Sequence, residues 1–167
     1  MGKAALLSAR GSRCARDEYE LGITFFRKKQ WRNAARHFAQ AALDSRPDDP
    51  ARERYRAWQG LALVYAGDLS GLNLCRHAAA AERMDATVYQ NLALAELKLR
   101  HRKRAVEAVQ KGLALDPGHR GLCKLRRNMG ARRRPCLIFL DRNNPINKWL
   151  GKLTWKQQHK RGKRKRR

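Results

Sequence analysis

Residues Ala86–His119 read ATVYQNLALAELKLRHRKRAVEAVQKGLALDPGH, and the fold depends on how this stretch is read. Tyr89, Leu92, Ala93 and Leu97 recur at helical spacing in its first half. Ala105, Val106, Val109, Leu113 and Leu115 do the same in its second. Pro117 stops the second helix, because a proline ring disfavours helical backbone in the residue before it. Small residues fall where two helices would touch: Ala93 and Ala105, with Gly112 further on. A bulky side chain there would hold the backbones apart and leave a void. The stretch is a helical hairpin, and a lone hairpin cannot bury its own apolar face.

The pattern recurs upstream. An earlier copy starts near Ala15 and holds Leu21, Gly22, Phe25, Trp31, Ala34, Phe38 and Ala41 in register, with Pro47 displaced by one residue. A middle copy starts near Arg54, with Trp58, Leu61, Ala62 and Tyr65, then Leu72, Cys75 and Ala78 after a shortened turn. The third copy carries Tyr89, Leu92, Ala93, Ala105, Val109, Gly112 and Pro117. Together these residues resemble the tetratricopeptide repeat (TPR), whose period is about 34 residues. The glycine usual in that family's inter-helix turn is missing from the third copy, where Arg100 stands near its place. The resemblance covers residues 14–119. It implies an all-α fold: a right-handed α-solenoid of helical hairpins, with a C-terminal capping helix and a basic extension.

Read in order, residues 1–13 are expected to be a flexible N-terminal segment. The repeat domain follows over 14–130, then an apolar and amphipathic extension over 131–155 and a disordered polybasic tail over 156–167. The spacing predicts helices near 13–28, 31–45, 50–66, 70–81, 86–99, 102–115 and 119–129. Asp48 or Asp49 is placed to cap the third of these. Within 131–155, Leu137–Leu140 form a short apolar run. Pro145 then suits the first position of a helix whose Ile146, Trp149, Leu150 and Leu153 share one face. This extension either docks back on the capping helix or meets a partner or an interface.

Charge narrows the function. The net charge is +25, and residues 126–167 hold 16 Lys or Arg against one acid, Asp141, so +15 of it lies there. An anionic partner is implied: an acidic protein, a nucleic acid or a membrane surface. No segment approaches the length of a bilayer span. The N-terminal run AALLSA is too short for a signal-peptide core. Cys14, Cys75, Cys123 and Cys136 form no CxxC pair and no zinc-spaced set with histidine, which suits reduced thiols and a cytoplasmic setting.

No GxSxG, HExxH, phosphate-cradling glycine loop or dinucleotide fingerprint occurs. His37, His77, His101, His119 and His159 fall on separate elements. No catalytic residue, metal, cofactor or small-molecule substrate is therefore expected. The expected function is a non-catalytic scaffold or adaptor binding an acidic protein or peptide. The resemblance implies that the first helix of each hairpin lines a concave groove. That maps to Arg16, Tyr19, Ile23, Phe26 and Arg27, then Arg56, Gln59, Leu63 and Ala66, then Thr87, Gln90, Leu94, Leu97 and Lys98. Asn91 is the only asparagine matching the Lys/Asn/Arg carboxylate clamp of some family members, so that clamp is incomplete. The alternative is an RNA-, DNA- or ribosome-associated protein. It would bind the phosphate backbone through Lys156, Lys160, Arg161, Lys163, Arg164, Lys165, Arg166 and Arg167.

Overall fold

A computed structural model describes residues 2–130, 145, 149 and 150, with side chains from Cys14 onward. Among the described residues all regular structure is helical, in seven helices. They are α1 (Gly2–Arg27), α2 (Trp31–Asp44), α3 (Arg52–Ala66), α4 (Ser70–Ala81), α5 (Ala86–Lys98), α6 (Arg102–Leu115) and α7 (Arg120–Met129). The bounds follow the sequence reading closely except at the start. The helix expected from Arg13 begins at Gly2, because the Ala, Leu and Arg residues upstream are strong helix formers. None of these helices is long and apolar enough to cross a membrane.

The chain divides into two compact units, Met1–Met129 and Gly130–Arg167. In the second, Pro145, Trp149 and Leu150 are helical and Trp149 is exposed. The rest of the extension and the whole polybasic tail lie outside the described residues.

In the first unit, three short turns make three hairpins, and each turn is closed in the same way. Lys29, Gly67 and Arg100 take positive φ, at 60°, 94° and 64°. The next residue then donates its N–H back to a carbonyl in the last turn of the preceding helix. Gln30 reaches Phe25 at 3.0 Å, Asp68 reaches Leu63 at 2.9 Å and His101 reaches Glu96 at 2.8 Å. This closure satisfies carbonyls that a helix end otherwise leaves unpaired. The links between hairpins are held by carboxylates instead. Asp49 accepts from the Ala51 N–H at 2.8 Å. Glu82 accepts from the N–H groups of Arg83, Met84 and Asp85. Asp85 then caps α5 by accepting from the Thr87 N–H at 2.8 Å.

Each helix packs mainly on its chain neighbours, and α3 and α5 also bridge to α5 and α7 respectively. The core runs on from hairpin to hairpin. Phe38, Ala34 and Ala62 fill its first part, with Tyr19, Phe26 and Trp58 against them. Leu61, Val64, Leu72, Cys75 and Ala95 fill the middle. Ala93, Ala105, Val109, Leu122 and Met129 fill the last. Ala93 and Ala105 are both fully buried, at the contact expected of them.

The middle hairpin departs from its expected register. Gly60, not Ala62, sits where α3 meets α4: a Cβ on Gly60 would fall 2.5 Å from the Gly71 carbonyl oxygen. Ala62 turns to α2 instead, buried among Ala34, Ala35 and Phe38. A two-residue shift turns a helix by about 200°. Side chains mapped to one face of α3 therefore emerge on another.

Candidate functional site

That rotation decides where the site is. Gln59, Leu63 and Ala66 recur along α3 at i, i+4 and i+7, and they face a matching stripe on α2 of Arg32, Ala35, Arg36 and Ala39. Between the two stripes lies a cleft of about 480 Å³, closed at one end by Gly67 and Asp68. The alanines and Leu63 make its floor apolar. Arg32 and Arg36 stand at its rim, both exposed. Neither forms an ion pair among the described residues. Asp68 lines the same cleft and stays ionised, but it pairs with neither arginine, and its carboxylate turns to the start of α4. There the Ser70 hydroxyl and N–H hold its carboxyl below the usual carboxylate range.

The residues mapped to one groove do not all meet. On α1, Arg16 is exposed and its nearest acid is Glu20, 3.5 Å away. Tyr19 packs its ring at a tilt against Phe38 and Tyr55, and burial pushes its phenol up. Ile23 packs into the same core, and Arg27 ends the helix exposed. On α3, Arg56 is paired with Glu53 at 2.8 Å, while Gln59 and Leu63 line the α2 cleft. On α5, Gln90 lies over Gly121 of α7, so closely that no Cβ would fit at that glycine. Leu94 packs toward Trp58 and Tyr65, and the Lys98 ammonium sits 5.3 Å above the Tyr65 ring.

Asn91, the one asparagine that matches the incomplete clamp, lies inside the fold. It is fully buried, and neither its amide nitrogen nor its amide oxygen has a hydrogen-bond partner. A side chain buried in this way is not presented to a ligand at the surface. Gln59 and Leu63 face α2, whereas Leu94 packs on the core of Leu61, Val64 and Leu72 and Lys98 lies over Tyr65. Arg32, Arg36 and Ala39 lie off the core face of α2, the face that apolar spacing marks. Their i, i+4, i+7 spacing was the available signal.

A second polar centre ties the middle of the fold together. Glu96 on α5 is 2% exposed. Its Oε1 accepts from Arg76 Nε at 3.0 Å and Nη2 at 2.8 Å. Its Oε2 lies 2.8 Å from His101 Nδ1 in the α5–α6 turn. Nearby Cys75 is buried, and burial, aided by the Glu96 charge, pushes its thiol up to about 12, which makes it a packing group and not a nucleophile. Among the described residues, no group of three or more His, Cys, Asp or Glu is placed to hold a metal ion. No protein-family model and no curated protein matches the chain.

Proposed function

We propose that the chain is a non-catalytic scaffold of the TPR kind that docks an acidic peptide in the cleft between α2 and α3. The identical closure of three hairpin turns supports a repeat architecture, with the right-handed solenoid path that the family resemblance implies and α7 as its terminal cover. The observation that carries the docking reading is the pair Arg32 and Arg36. Two exposed guanidinium groups one helical turn apart form no ion pair among the described residues, above a floor of Ala35, Ala39 and Leu63. An apolar side chain flanked by Asp or Glu fits such a floor and rim. Arginine can hold a carboxylate through two parallel N–H bonds. Charge reversal at the rim then repels the same ligand.

The experiment is an array of peptides that each place one Leu or Phe between Asp or Glu residues, probed with the full chain. Arg36→Glu should abolish the positive spots, with circular dichroism unchanged. Equal binding by the wild type and Arg36→Glu would refute the cleft as the docking site.

A further inference from the structure

The far end of the first unit has a different character. Residues 98–129 hold ten Lys or Arg against two acids, Glu107 and Asp116, whereas residues 14–97 hold twelve against eleven. The fold gathers this excess. Arg102 Nη2 on α6 donates to the Met129 carbonyl at the end of α7, which brings the start of one helix to the end of the other. Lys103 lies beside that junction on α6, and Arg126 and Arg127 lie beside it on α7. All three are exposed, and none has an acid partner among the described residues. Arg120, Lys124 and Arg127 continue as an i, i+4, i+7 stripe along the outer side of α7. Of the two acids, Asp116 accepts the Gly118 N–H at 2.9 Å in the turn before α7, at the other end of that helix from Met129.

We propose that this α6–α7 face binds the phosphate backbone of a nucleic acid. Three observations choose that occupant. The charge is dense and of one sign: α7 holds four cations and no acid in ten residues, over about 15 Å of axis. A duplex offers an equally unbroken run, one negative charge per about 1.7 Å. The apolar side of α7 is not free to enter a membrane, since Leu122 is fully buried and Met129 is 9% exposed. The chemistry offered is Lys and Arg without an aromatic platform, which suits phosphate contacts and not base reading. This surface is separate from the α2–α3 cleft and stands or falls without it.

The test uses the full chain and a fluorescein-labelled mixed-sequence DNA duplex of about 20 base pairs, with affinity measured from about 0.05 to 0.3 M NaCl. Each lost phosphate contact should lower the log–log salt slope by about 0.9. Lys103→Gln/Arg126→Gln/Arg127→Gln should therefore lower it by about 2–3 and weaken low-salt binding at least tenfold. Lys28→Gln/Arg46→Gln/Arg83→Gln removes the same charge from exposed positions elsewhere and should leave the slope unchanged. Arg126→Lys/Arg127→Lys should keep the wild-type slope, which guards against a folding artefact. Equal slopes in the two triple variants would overturn the proposal. So would an absence of duplex binding, or competition by poly-glutamate as strong as by unlabelled duplex, which would mark the face as a site for acidic protein.

Discussion

At Gly60 a single missing methyl group fixes how two helices lie. A Cβ there would meet the Gly71 carbonyl oxygen at 2.5 Å, Cys75 Sγ at 2.7 Å and the Cys75 nitrogen at 2.9 Å. Two of those three atoms are backbone and cannot swing aside, so α3 and α4 would have to separate. Overpacking of this kind costs about 1–3 kcal/mol. Gly60→Ala should therefore lower the unfolding free energy by that amount, read as a lower urea midpoint at unchanged slope, and an unchanged midpoint would show that the helices do not meet at this residue. The same glycine explains why the middle copy was misread. Trp58, Leu61, Ala62 and Tyr65 match the family pattern as letters, and Ala62 is as small as the contact demands. Both Gly60 and Ala62 satisfy a rule about size. Only the packing reveals that α2 takes the alanine and α4 takes the glycine.

Between elements, Asp85 does two jobs. One carboxylate oxygen accepts the Thr87 N–H and caps α5, while the other takes the Nε–H of Arg54 on α3. Burial works to raise this carboxyl, but the bonds from Arg54 and Thr87 outweigh it and hold it below its ordinary value. A carboxyl depressed by folding adds stability above its unfolded pKa, about 3.9, and loses it as pH falls through the lower folded value. Thermal melts between about pH 6 and pH 2.5 should show the wild type losing stability at the acid end, with a visibly shallower loss in Asp85→Asn. Equal acid slopes would mean that the Arg54–Asp85 tie does not form in solution. At this scale most of the fold was legible in the sequence. The helix bounds at 70–81 and 102–115 follow from proline, glycine and apolar spacing alone. The strained Arg100 turn could be anticipated from the glycine missing there, and its φ of 64° confirms that the chain takes that shape without one. The candidate site was less legible, because a face is defined by rotation about the helix axis. The two-residue rotation of α3 sets Gln59 and Leu63 against Arg32 and Arg36 of α2, while Arg56 pairs with Glu53 on its own helix.

Over the whole molecule, charge opposes compaction. The chain carries +25: +15 falls in residues 126–167, and within the first unit residues 98–129 hold ten Lys or Arg against two acids. Among the described residues several of the attractive pairs that could offset this are partly exposed, such as Arg56–Glu53 and Arg16–Glu20. Exposed pairs of that kind contribute about 0–1 kcal/mol each. The best-shielded pair, Arg76–Glu96, has its carboxylate 2% exposed and is screened little by added salt. Repulsion among exposed cations is screened strongly, since the Debye length falls to about 3 Å at 1 M salt. Raising NaCl from about 0.05 M to 0.5 M should therefore raise Tm by several degrees, because about 1 kcal/mol corresponds to roughly 2–4 °C for a chain of this size. Differential scanning fluorimetry across that range checks the sign. A Tm that falls with salt would show that attraction between exposed ion pairs, and not self-repulsion, dominates the electrostatics of the folded chain.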